Sequence, residues 1–135
     1  FEPERQMELY RSDISALAQA KSANYSGQYI ALRRFGKPID RIAKMYLAGG
    51  FANYVDEQNA IAIGFIANFP TEKIEKAGNA SLEGATLMLN SIGMRSTIEN
   101  LVKNIEHIEL ETTPDFFDIF VEGCMFKPMP EDIFQ

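Results

Sequence analysis

The tightest constraint on how this chain can fold lies between residues 43 and 64. There a short β-prone run, Lys44-Met45-Tyr46-Leu47-Ala48, passes directly into Gly49-Gly50-Phe51-Ala52-Asn53 and then into a helix-like segment. A strand, a double glycine and a helix make a sharp backbone corner. Glycine reaches dihedrals closed to other residues and carries no Cβ, so a ligand can approach the main chain closely at such a corner. The same pair also serves simply to close a tight turn, and the residues alone leave both readings open.

The pattern recurs downstream. Ile74 to Ala77 reads as a second strand, and Gly78-Asn79-Ala80 repeats the order of glycine, capping residue and helix through Ala85. Two successive units of strand, glycine corner and helix predict an α/β fold with parallel strands and flanking helices. Ahead of them, Ser12 followed by Asp13 reads as an N-cap with an acidic first turn, and no proline interrupts the chain before Gly36. One long helix is expected there, rich in small residues (Ala16, Ala18, Ala20, Ser22, Ala23, Ser26, Gly27) that permit close approach of another backbone or a flat ligand. Arg33 and Arg34 suit its C-terminus and Gly36 its C′ position. A helical turn over 39–43 and a helix capped by Asp56 and ending near Gly64 complete the first half, followed by an apolar loop from Phe65 to Pro70.

In the second half a helix over 94–104 is expected after a break at Ile92-Gly93. Alternation in Ile105-Glu106-His107-Ile108-Glu109-Leu110 predicts an edge strand over 106–110 with His107 toward solvent. Thr113-Pro114-Asp115 reads as a helix start with Thr113 as N-cap and Pro114 in the first position, and Phe116, Phe117, Ile119 and Phe120 as its apolar face. The proline-containing end, from Met125 onward, is expected as an irregular tail on the surface. The domain boundaries drawn this way are a lead-in at 1–11, one folded unit at 12–126 and a tail at 127–135. Phe1-Glu2-Pro3, without an initiator Met or a targeting pattern, is expected to open a piece of a longer chain.

Composition narrows the function classes. A net charge of −6 and a pI near 4.8, with scattered basic residues, argue against binding to phosphate backbones, so no nucleic-acid partner is expected. No apolar run is long enough for a bilayer helix, and no membrane partner is expected. Cys124 and His107 are single in the chain, which excludes an internal disulfide and a zinc-type cluster of these residues and fits a reducing, cytoplasmic setting. Cys124 reads as a small buried apolar residue. There is no Gly-x-Ser-x-Gly elbow, no Walker A loop and no Gly-x-Gly-x-x-Gly. No catalytic residue and no metal ligand is assigned, and the carboxylates at Asp56-Glu57, Glu72, Glu75, Glu106, Glu109 and Glu111 are read as solvated faces or helix starts.

In their order along the chain, Asp13-Ile14, Ala20-Lys21-Ser22-Ala23, Tyr46 through Tyr54 with the double glycine, Ala60-x-x-Ile63-Gly64, Gly78-Asn79-Ala80, Glu109-Leu110 and Asp115-Phe116 form a set. From about Ser12 to Phe126 this set resembles the C-terminal region of the reductive activators of corrinoid proteins. These are ATPases of the actin, sugar-kinase and heat-shock-chaperone superfamily that carry a ferredoxin-type iron-sulfur domain elsewhere in the chain. The resemblance implies a ribonuclease H-like, actin-like half-domain with a mixed sheet. It makes Gly49 and Gly50 the adenosine motif, with Asn53 close by, and places Lys21 on a helix lining the opposite side of the pocket, as a ribose or phosphate contact. On the residues alone Lys21 is equally a surface lysine and Tyr25 a packing residue. Related chains usually carry an apolar residue where Asn24 stands, so that face is either wetter here or touches a ligand.

The cofactors so implied are ATP with Mg²⁺ and an iron-sulfur cluster, both of the longer parent protein. The phosphate hairpins and cluster cysteines would lie upstream, and residues 1–135 alone are expected neither to bind a cluster nor to hydrolyse ATP. The implied partner is a corrinoid protein, with a homodimer as a further possibility. Two other readings stand beside this one: an acidic, non-catalytic protein-interaction module, and part of a small-metabolite kinase of the same superfamily.

Overall fold

The computed structural model describes residues 8–131. Helix α1 (Arg11–Phe35) is the spine of the molecule. It starts one residue before Ser12, because Asp13 does not sit in the first position but in the third, where its carboxylate accepts the Tyr10 N–H at 2.9 Å. Gly36 ends it in the left-handed conformation, φ 63°, as its glycine predicts. A 3-10 turn over Ile39–Arg41 leads to β1 (Met45–Ala48). The glycine corner continues into a 3-10 turn (Gly50–Tyr54), then α2 (Glu57–Ala62), whose N-cap Asp56 accepts the Asn59 N–H at 2.8 Å. Strand β2 (Ile74–Gly78) pairs with β1 in parallel, in the register Met45 to Ile74 with a bulge before Ala48. The chain is therefore α/β, with a two-stranded parallel sheet and flanking helices.

Asn79 caps α3 (Ala80–Asn90), as expected. Helix α4 (Ile92–Val102) follows at once: Ser91 accepts the Met94 N–H and serves as N-cap, so Ile92-Gly93 opens the helix instead of breaking the chain before it. Gly93 stands second in the helix, outside the interior where glycine's extra backbone freedom costs about 1 kcal/mol. The predicted edge strand over 106–110 does not form. That stretch is irregular and ends in a 3-10 turn over Leu110–Thr112. Its alternation is used differently: Ile108 and Leu110 pack on the core beside α1, Glu106 pairs with Arg34, and His107 is exposed.

The last helix, α5 (Phe116–Gly123), begins later than Thr113-Pro114 suggests. Thr113 and Pro114 form a turn closed by the Phe116 N–H on the Thr113 carbonyl, and Asp115 takes the N-cap position without capping through its side chain. Its carboxylate is held by the Arg33 guanidinium instead, with the two bonds at 2.5 and 2.9 Å. Phe116, Ile119 and Phe120 face inward, whereas Phe117 is 73% exposed and leaves the expected apolar face.

The core forms where α1 meets α5 and the loop after α2: Tyr25, Ile30, Ala67, Ile119 and Met129. Close approach of the two helices relies on small residues, since a Cβ on Gly123 would sit 2.7 Å from Ser22 Oγ and 2.8 Å from the Tyr25 ring. Met129, 2% exposed, corrects the expectation of a surface tail: the irregular segment after α5 is pinned into the core. Tyr25 is a packing residue, stacked on Tyr29 at 6.0 Å between ring centroids.

Candidate functional site

Both glycine corners lie at the C-terminal ends of the parallel strands, the end at which open α/β sheets take their ligands. Gly49 has φ 102° and Gly78 φ 60°, backbone states that L side chains rarely adopt. The Gly49 N–H donates to the Gly78 carbonyl at 2.6 Å, which ties the two corners into one shelf. A Cβ built on Gly49, Gly50 or Gly78 meets nothing within 4 Å, so the shelf opens onto free space. These glycines are not there to admit a neighbouring side chain of the described residues. Asn53 sits on the exposed 3-10 turn that continues the corner.

Lys76 braces that turn from β2. Its ammonium donates to the carbonyls of Val55 at 2.7 Å and Asn53 at 3.4 Å and pairs with Glu57 at 3.0 Å. The Lys76 hydrogen bond holds the Glu57 carboxyl below its usual range. No spacing in the sequence signals this residue, because its partners come from the turn and from α2.

Beside the shelf runs a cleft of about 370 Å³. One wall is β1 continuing into Phe51, Ala52 and Val55; the other is Asn24 and Gln28 of α1 with Phe65 and Ile66. The Gln28 side-chain amide reads both polar groups of the buried loop after α2, donating to the Phe65 carbonyl at 2.9 Å and accepting the Ala67 N–H at 3.0 Å. Asn24 Nδ2 donates to the same Phe65 carbonyl at 2.6 Å, so its polar side chain is spent partly on protein backbone. Phe65, thus fixed, meets Phe51 edge-on at 6.5 Å between centroids, and Phe51 stands 74% exposed next to Gly50.

Lys21 is not a surface lysine. It is 0% exposed, and its ammonium donates to the carbonyls of Gly123, at 2.7 Å, and Met125. It lies 5.1 Å from the Tyr25 ring centroid, and burial lowers its pKa, with Cys124 and Glu122 acting in the other direction. Lys21 thereby satisfies the Gly123 carbonyl, left without a helical partner at the C-terminal end of α5, and shares the Met125 carbonyl just beyond it with the Lys127 N–H. It does not line the cleft, whose contributions from α1 come one and two turns on. The structure thus brings Gly49, Gly50 and Asn53 together and sets Lys21 behind the helix that faces them.

Among the described residues no group of three or more His, Cys, Asp or Glu is placed to hold a metal ion, and no helix is long and apolar enough to cross a membrane.

A family model described as the C-terminal domain of RACo, the ASKHA domain, matches residues 2–135. A corrinoid activation enzyme of Eubacterium limosum, RamQ, is 29% identical over 118 residues, which are 87% of this chain and 20% of that protein. A solved structure of a reductive activator for corrinoid, iron-sulfur protein aligns with a TM-score of 0.80 at 28% identity, covering 91% of this chain and 20% of the other. Residues 1–135 thus span about a fifth of the length of either relative. With a strand–glycine–helix unit used twice, a parallel sheet and a family match over nearly its whole length, the chain belongs to the family of RACo C-terminal ASKHA domains.

Proposed function

We propose that this domain supplies the adenosine side of the ATP site in an ATP-dependent iron-sulfur protein that reductively activates corrinoid methyl-transfer proteins. The observation that carries the reading is the shelf: two positive-φ glycines at the ends of parallel strands, joined by the Gly49–Gly78 hydrogen bond, with open space over Gly49 and Gly50. Gly49 and Gly50 would lie against the nucleoside, and Asn53 would offer an amide at the rim. Lys21 acts from behind: a direct contact with ribose or phosphate would require its ammonium to leave two carbonyls, whereas in place it keeps α1 seated on α5.

In the parent, an iron-sulfur cluster held outside residues 1–135 would supply the electron that reactivates the corrinoid of the partner protein. That step is uphill at ordinary donor potentials, and ATP with Mg²⁺ supplies the free energy for it. Coupling requires that the activator make different contacts in its two states, so this domain's part is to close on the nucleoside and release it. Residues 1–135 act as half of a clamp and are not catalytic by themselves. The partner is a corrinoid protein, met in the cytoplasm, and the activator works as a monomer or a homodimer.

Gly50→Val is the decisive perturbation. Gly50 does not have positive φ and its Cβ position is empty, so the variant should fold normally while its isopropyl group fills the shelf. Calorimetric titration of the full-length protein with Mg-ATP should show at least about tenfold weaker binding, equivalent to about 1.4 kcal/mol, at an unchanged Tm. Unchanged binding by the variant, or no binding by the wild type, would leave the reading as an acidic interaction module.

A further inference from the structure

We infer that Lys76 is a positioning residue for the nucleoside: it does not touch the ligand but fixes the turn that presents Gly50 and Asn53 to it. This role rests on the nucleotide site proposed above. The turn, Gly50–Tyr54, needs outside support. A 3-10 run of five residues is longer than this geometry ordinarily sustains, because its hydrogen bonds are poorly formed. Of its side chains only Ala52 is buried, and Tyr54 is 89% exposed. The Ala52 N–H on the Gly49 carbonyl, at 3.1 Å, and the Val55 N–H on the Ala52 carbonyl, at 3.3 Å, close its two ends but tie it only to itself.

Strand β2 supplies the anchor from two points. At the start of the corner the Gly78 carbonyl accepts the Gly49 N–H. At its end stands Lys76. Successive side chains of a strand point to opposite faces. Glu75 accordingly pairs with Lys44, and Lys76 turns to the face where the turn and α2 lie. An ammonium has three donors, and three acceptors meet this one: the Val55 carbonyl at 2.7 Å, the Asn53 carbonyl at 3.4 Å and the Glu57 carboxylate at 3.0 Å. One side chain thus joins the end of the turn to the start of α2. With its donors engaged by protein, Lys76 has none left over for a phosphate. Without it, two carbonyls face water and the turn opens more often. A ligand would then have to order the turn on binding, which lowers affinity with no change in the contacts finally made.

The test is calorimetric titration of the full-length protein and its variants with Mg-ATP and with adenosine. Lys76→Met keeps the stem and removes the ammonium. It should weaken both ligands by the same factor, about tenfold, the size of one lost charged hydrogen bond, with Tm within about 3 °C of the wild type because the pair is near the surface. Lys76→Arg, which can still donate to two carbonyls, should recover most of the affinity. Glu57→Gln should weaken binding in the wild-type background and add nothing to Lys76→Met, since the two act through one contact. Unchanged affinity in Lys76→Met, with the wild type binding normally, would overturn the inference and leave the nucleotide site standing. So would a loss confined to Mg-ATP, which would make Lys76 a phosphate contact. Absence of binding by the wild type would instead remove the nucleotide site itself, and this role with it.

Discussion

Gly64 is where the fold tolerates least change. It follows α2 with φ 72°, and a Cβ there would lie 2.3 Å from the Lys127 carbonyl oxygen and 3.3 Å from Lys21 Nζ. Gly64→Ala faces two costs. The left-handed backbone is about 1 kcal/mol less favourable for an L-residue. The clash is with backbone, so it cannot be relieved by a rotamer change: the 125–130 segment must move by nearly 1 Å, drawing on Met129 in the core and on the Lys21 bonds. Overpacking of that kind costs about 1–3 kcal/mol. Together they amount to about 3 kcal/mol. For a chain of 135 residues the unfolding entropy is roughly 0.3 kcal/mol per kelvin, so Tm should fall by about 10 °C. Calorimetric or CD melting is the assay. Gly64→Asn, which accepts positive φ but carries the same Cβ, should recover only a small part of the loss. A drop under about 3 °C for Gly64→Ala would refute the reasoning, because neither cost could then be present at its expected size.

Lys21→Met should destabilise the domain by about 2 kcal/mol, since two carbonyls lose charge-assisted donors while the cost of burying a charge is relieved. Urea unfolding at neutral pH measures it. Because burial lowers the Lys21 pKa from 10.5, the unfolded chain binds this proton more tightly than the folded one. Its contribution to stability therefore rises with pH from the folded pKa up to 10.5, and Lys21→Met should abolish that slope. For Asp115 the sign is reversed: hydrogen bonds from Arg33 lower its pKa from 3.8. The Arg33–Asp115 contribution is fully present above pH 3.8 and is lost as pH falls through the folded pKa, so Asp115→Asn should destabilise at pH 7 and approach wild-type stability as the folded carboxylate becomes protonated in acid. Gly50→Val should leave Tm unchanged, and a large drop would show that the space over the shelf is not free.

Local chemistry accounts for what was legible in advance. Positive φ at Gly36, Gly49, Gly64 and Gly78, and capping by Asp56 and Asn79, act over three or four residues and hardly depend on the rest of the molecule. The starts of α1 and α4 moved through local caps, at Asp13 and Ser91, whereas the other boundaries moved where a distant partner took a local group away. Asp115 gives its carboxylate to Arg33 and cannot cap α5, and the alternating segment at 106–110 packs on α1 because no strand edge reaches it. Lys21 has the same origin. A lysine among small residues on a helix is indistinguishable in sequence from an exposed one, and only the arrival of Gly123 and Met125, more than a hundred residues later, makes it a buried donor.

The sequence by itself determined the two strand–glycine–helix units, their parallel pairing and the family, because backbone geometry at glycine and hydrophobic periodicity are properties of short segments. Tertiary structure alone decided that the two corners join through a hydrogen bond into one open shelf, that Lys76 braces it and that Lys21 stands behind it. Those relations depend on which carbonyls and carboxylates come within 3 Å once α1, α5 and the sheet are packed, and no local pattern encodes that distance.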